Sequence, residues 1–106
     1  MDTPTNNLTI SGRITEIGSA AQGENWQKQD FTIETLEQFS KLVNIHVWND
    51  KIEQLTRCRL GDVVLCRINI SSRKHENRYY TEVTAWKVEV DFNRMRNEAP
   101  VENIKP

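Results

Sequence analysis

The sequence lacks most of what announces an enzyme or a membrane protein. It has two cysteines in 106 residues, Cys58 and Cys66, and they form no C-x-x-C. The two histidines, His46 and His75, stand at no zinc-finger spacing, so the common zinc modules are excluded. No nucleophile elbow, P-loop or H-E-x-x-H is present, and the carboxylates are scattered rather than paired. We therefore expect no catalytic residue, no metal and no cofactor. No apolar run approaches the length that crosses a bilayer. The opening MDTPTNNL lacks a basic segment followed by an apolar run, so no signal peptide is expected. A reduced, cytoplasmic protein without membrane contact is the plainest reading. An excess of positive charge is missing too: 14 Lys and Arg against 15 Asp and Glu give a net charge of -1. That counts against a duplex-DNA binder, whose affinity rests on many phosphate contacts, but leaves room for local clusters.

What is present is alternation. With 37% hydrophobic residues, one domain can form a core while its strands stay wet on one face. Residues 8–17 place Leu8, Ile10 and Ile14 on one parity with Gly12 among them, a strand able to bend at its glycine. After a loop over 18–25, a second strand (25–36) turns Phe31 and Ile33 inward. A third (41–49) turns Val43, Ile45 and Val47 inward. Asp50 and Glu53 then have the spacing of a capping box, Ile52 and Leu55 make a short apolar stripe, and Gly61 suits a helix exit. The fourth strand (62–73) puts Val64, Cys66, Ile68 and Ile70 inward, so Cys66 reads as a buried thiol, with a disulfide as the alternative. The turn KHENR (74–78) leads into the fifth strand (79–90). There the parity of Tyr79 and Val83 differs from that of Trp86, Val88 and Val90, and a bulge near Ala85 reconciles them.

Three strands, a short helix and two strands predict an all-β chain, a five-stranded OB-fold Greek-key barrel with the helix between strands three and four. An SH3-like barrel competes, but a capped helix at that place does not suit it. The expected boundaries are a flexible 1–7, an OB-fold domain over 8–91, and a disordered tail over 92–106 with little periodicity and two prolines.

The outward parity of strands two and three carries the functional signal. Trp26, Lys28, His46 and Trp48 fall there, and Arg13, Arg67 and Arg73 extend the same side. Rings interleaved with cations suit an unpaired strand, since bases stack on the rings while Lys and Arg follow the phosphates. The same tryptophans would equally serve a subunit interface or a sugar ring. Arg73, Lys74 and Arg78 crowd one hairpin, as a basic finger on phosphates or as charges that keep a sheet edge soluble. Asp30 and Glu34 would repel phosphate.

Over residues 42–90 the chain resembles bacterial single-stranded-DNA-binding proteins of the OB-fold class. LVNIHVWNDKIEQL is similar to their third strand and helix, and LGDVVLCRINISSRKHENRYYTEV to their fourth and fifth strands. The whole chain also resembles a small bacterial OB-fold family without assigned function, through the NW-K-Q-F pattern of strand two and the closing AWKVEV. The resemblance implies a stacking role for Trp48, another aromatic contact near Trp26, and a basic hairpin at Arg73 and Lys74. It also shows departures: Leu42 and His75 stand where stacking aromatics would be, and ENIKP is not an acidic, Phe-terminated tip. The expectation is a non-enzymatic binder of single-stranded DNA, with RNA as an alternative, showing little sequence preference. Trp26, Lys28, His46, Trp48, Arg13, Arg67, Arg73, Lys74 and Arg78 would form its surface. A protein-interaction module, or a homodimer or larger homo-oligomer using the same tryptophan face, is the rival.

Overall fold

The computed structural model describes residues 8–94; the flexible segment expected over 1–7 and the tail beyond 94 lie outside the described residues. Six strands and one short helix follow in order: β1 (Thr9–Ile17), β2 (Ala21–Gln22), β3 (Gln27–Thr35), β4 (Leu42–Trp48), α1 (Ile52–Leu55), β5 (Val63–His75) and β6 (Arg78–Val90). Sequence alternation predicts five of these strands. The two-residue β2 is too short for any period, and it pairs only with the start of β3 through Ala21–Lys28 and Gln22–Gln27.

The sheet closes on itself. Its order is β1-β5-β6-β4-β3, and β1 also pairs with β3. β4 meets β6 in parallel at His46 and Thr84, while the other pairings are antiparallel. This is the closed five-strand arrangement of an OB-fold, with α1 between the third and fourth long strands. β1 serves two neighbours by bending at Gly12, which faces Val64 of β5 and Thr35 of β3. A Cβ at Gly12 would stand 2.6 Å from the Glu34 carbonyl oxygen, so the seam admits only glycine without a backbone shift.

The enclosed core contains Ile14, Phe31, Ile33, Ile45, Val47, Leu55, Val64, Cys66, Ile68, Ala85 and Val88. The parity reading of β3, β4 and the first half of β5 holds. Burial of each large aliphatic or aromatic side chain contributes roughly 1.5–3 kcal/mol. Cys58 and Cys66 are both free buried thiols, not a disulfide. Burial pushes the Cys66 thiol up to about 12.

Four local expectations are corrected. Asp50 and Glu53 form no capping box: a 3-10 turn over Asn49–Lys51 precedes α1, and neither helical start has a side-chain cap. Asn49, at φ 53°, instead ends β4 and accepts the Gln27 N–H on its Oδ1 at 2.9 Å. Gly61 does not terminate the helix, which ends at Leu55. It takes φ 92° in the turn Arg59–Asp62, closed by the Asp62 N–H on the Arg59 carbonyl at 3.0 Å, the left-handed third position of a type II turn. Ile70 is 53% exposed and Leu8 is 41% exposed, not inward, because Ile70 lies where β5 runs past the core and Leu8 just ahead of β1.

The bulge is where the fifth-strand parity required it. Arg67 faces Lys87 and Ile68 faces Ala85, leaving Trp86 as the extra residue. Gln54 of α1 stitches this break, donating from Nε2 to the Trp86 carbonyl at 3.3 Å and accepting the Val88 N–H on Oε1 at 2.8 Å. Residues 92–94 are helical. Among the described residues no helix is long and apolar enough to cross a membrane.

Candidate nucleic-acid interface

Opposed residues of an antiparallel pair point to the same face, so register fixes what the outer surface holds. β3 and β4 oppose Lys28 to Trp48, Asp30 to His46, Thr32 to Asn44 and Glu34 to Leu42, all turned away from the core. Trp26 sits just before β3, in a loop where the Gly23 N–H bonds to the Trp26 carbonyl at 2.8 Å. Its indole lies over Gly23, where a Cβ would collide with Nε1. The glycine thus makes room for the ring. From that seat Trp26 meets Trp48 with centroids 5.9 Å apart and planes tilted by 56°. The two rings form one aromatic corner, and Lys28 Nζ stands 5.0 Å from the Trp48 ring centre, a cation-π contact.

Glu82 of β6 completes the next row. Its Oε2 lies 3.7 Å from Lys28 Nζ and 3.5 Å from His46 Nδ1, yet neither Oε2 nor Nδ1, both buried atoms, makes a hydrogen bond. Lys28 meets it as a charge at a distance, and neither neighbour closes into a hydrogen bond. Asp30 is satisfied differently: Asn44 Nδ2 donates to its Oδ2 at 2.9 Å and lies 3.1 Å from Thr32 Oγ1.

Beyond His46 the surface continues onto a two-stranded arm. The outer half of the β5–β6 ribbon, from Ile70 and Val83 to its tip, leaves the barrel and is closed by Glu76 and Asn77 at φ 52° and 68°. Two successive positive φ values are the signature of a type I′ hairpin turn. On the face continuous with His46 the ribbon opposes Asn69 to Thr84, Ser71 to Glu82, Arg73 to Tyr80 and His75 to Arg78. A shallow groove lined by His46, Ser71, Arg73, Tyr80 and Glu82 joins barrel to arm.

The structure therefore brings Trp26, Lys28, His46, Trp48, Arg73 and Arg78 onto one strip. Three residues of the expected set fall elsewhere. Lys74 is on the opposite face of the arm, with Nζ 5.8 Å from the Tyr79 ring centre. Arg13 donates from Nη1 to the Gly61 carbonyl at 2.8 Å and ties β1 to the β5 turn. Arg67 has Thr9 and Lys87 as cross-strand neighbours, not the tryptophans. Two residues were missed, Tyr80 and Glu82. The signal was partial: only a turn closing at 76–77 makes 80, 82 and 84 the partners of outward 73, 71 and 69.

Comparison with known proteins agrees with this architecture. Residues 9–89 match the family described as a domain of unknown function (DUF3127), and the chain belongs to it. No curated protein matches it in sequence. Among solved structures, it resembles the second single-stranded DNA binding protein of Mycobacterium smegmatis. The TM-score is 0.66 at 20% identity, covering 82% of this chain and 87% of that one. Rim1, a mitochondrial single-stranded DNA binding protein of S. cerevisiae, superposes with a TM-score of 0.68 at 16% identity, covering 80% and 94%. The N-terminal domain of PriB from Thermoanaerobacter tencongensis, a dimer, gives 0.62 at 13%, covering 83% and 98%. At these identities the likeness is one of fold.

Proposed function

We propose that this chain binds single-stranded nucleic acid, DNA in the first place, by stacking and charge, without catalysing a reaction. The observation that carries the reading is the strip: an aromatic corner of Trp26 and Trp48 at one end, Arg73, Tyr80 and Arg78 at the other, and Lys28 and His46 between them. Several solved proteins of this fold are described as binding single-stranded DNA, which supports the choice of ligand. Stacking accepts every base, each contributing ~1–3 kcal/mol, so most of the affinity is indifferent to sequence. Lys28 covers the Trp48 ring and must move for a base to stack there, and its charge is then free to meet a phosphate.

A tryptophan-fluorescence titration with a ~30-nucleotide oligo-dT tests this. Quenching should fade as salt rises. Three phosphate contacts, from Lys28, Arg73 and Arg78, give a slope of about -2 in log K against log salt, at roughly -0.7 per contact. No quenching at high micromolar oligonucleotide overturns the reading. Self-association is a companion reading, favoured by the other face of the arm, where Ile70 and Tyr79 are exposed. Light scattering across protein concentration measures it.

A further inference from the structure

The strip holds two carboxylates in different states. Asp30 has its Oδ2 taken by Asn44 Nδ2 at 2.9 Å. Glu82 is held in place by Lys28 and His46 from two sides. Its inward Oε2 makes no hydrogen bond, and among the described residues none engages its other oxygen either. About a third of the side chain remains open, at 35%. Glu82 also lies between the aromatic corner and the Arg73–Tyr80 pair, so a strand spanning the strip must cross it.

A phosphate cannot sit on that carboxylate. Like charges repel it, and the carboxylate offers acceptors with no proton to give. What the carboxylate can take is an N–H donor. Unpaired bases present their Watson–Crick edges to a protein, and these edges differ. Cytosine shows an amino group, a donor that carboxylates accept well. Thymine, of equal ring size, shows two carbonyl oxygens flanking a single N–H, and its carbonyls meet the carboxylate unfavourably.

Resting on the single-strand reading above, we propose that Glu82 reads a base edge, so that one position of the strip prefers amino-bearing bases, cytosine over thymine among the pyrimidines. The rest of the strip stays indifferent, and the preference is local. His46 acts as the positioning residue that stays beside the carboxylate once Lys28 has moved to the phosphate.

The test compares oligo-dC and oligo-dT of equal length at pH 8, on wild type and on Glu82→Gln, by tryptophan fluorescence. The amide keeps the shape but both donates and accepts, so it can serve either base. The ratio of dC to dT affinity should be about fivefold larger in wild type than in Glu82→Gln, the lower end for one base contact. This double ratio cancels differences in oligonucleotide self-stacking. Glu89→Gln, at an exposed β6 position opposite Leu65, removes the same charge elsewhere and should leave the ratio unchanged. If Glu82→Gln strengthens both ligands by one factor, Glu82 only repels phosphate, and the base-reading proposal falls while the binding function stands. If wild type binds neither oligonucleotide, both fall.

Discussion

The β5–β6 ribbon is one continuous ladder with two different lives. In its inner half, Val64, Cys66 and Ile68 face Val90, Val88 and Ala85, and five of these six are buried in the core. In its outer half, Ile70, Ser72 and Lys74 face Val83, Thr81 and Tyr79, and most of these side chains meet solvent. Both halves pair antiparallel, with one break in the inner half at Trp86. The inner half is held by apolar burial that leaves little freedom in residue choice. The outer half is held by its ladder, the turn and pairs such as Ser72 Oγ with Thr81 Oγ1 at 2.8 Å. Its residues are thus free to serve a ligand.

The sharpest way to break this comparison is to truncate the same residue type in each half. Ile68→Ala should cost ~2–5 kcal/mol of stability, because it empties a buried core site. Ile70→Ala, two residues along the same strand, should cost under about 1 kcal/mol, since an exposed change away from special features moves little. Urea denaturation of both variants decides it. Equal losses would mean that the arm folds back on the barrel or is buried by a second copy.

The next effect lies in binding. Trp48→Ala should lose ~1–3 kcal/mol of affinity for a single strand while the barrel stays folded, as read by circular dichroism. Arg73→Ala tests the arm's share by its salt dependence, and the slope should fall by roughly 0.7. If Trp48→Ala leaves affinity unchanged and Arg73→Ala abolishes it, binding belongs to the arm alone.

Parity along strands predicted most of the core, because burial in a closed sheet alternates along β3, β4 and β5 from Val64 to Ile68, though Val63 is buried beside Val64. It failed at Ile70 and Leu8 for one reason: alternation says which side a residue faces, not where the opposite wall ends. The capping spacing at Asp50 and Glu53 failed because Asn49 bends the chain first. Most of the strip was legible too, six of its eight residues. Lys74 follows Arg73 on the same strand and so takes the other face by parity alone, whereas the place of Tyr80 and Glu82 across the hairpin depends on the residue at which the turn closes. KHENR fixes that to within one position, and one position reverses the face.

A smaller effect separates the halves by pH. Cys66 lies in the inner half, and burial raises its thiol from 9.0 to about 12, with Cys58 adding a little. Above pH ~9 the unfolded thiol loses its proton while the folded one keeps it, so the unfolded state binds fewer protons and stability falls as pH rises. The contribution is complete below pH ~9, and is lost progressively towards about 12. At pH 10 the loss is about 1.4 kcal/mol. Cys66→Val removes this component, so the wild-type and variant stability curves should diverge above pH ~9. Parallel curves would mean that the thiol opens to water before the barrel unfolds.

The smallest expected effect sharpens the arm's independence. Glu76 holds φ 52° in a turn that favours asparagine or glycine at both central positions. Glu76→Asn relieves a left-handed glutamate without adding the backbone freedom that glycine brings to the unfolded chain. It also removes the His75–Glu76 contact at 3.8 Å, an exposed pair that contributes little. The arm should gain ~0.5 kcal/mol of local stability, seen as slower amide exchange at the tip, the order of a compatible backbone substitution. The melting temperature should hardly move, because a ribbon that opens without disturbing the core reports its own equilibrium and not the global one. A rise in melting temperature that matched the local gain would show arm and barrel unfolding as one unit. The outer half would then belong to the core in energy, though not in contact.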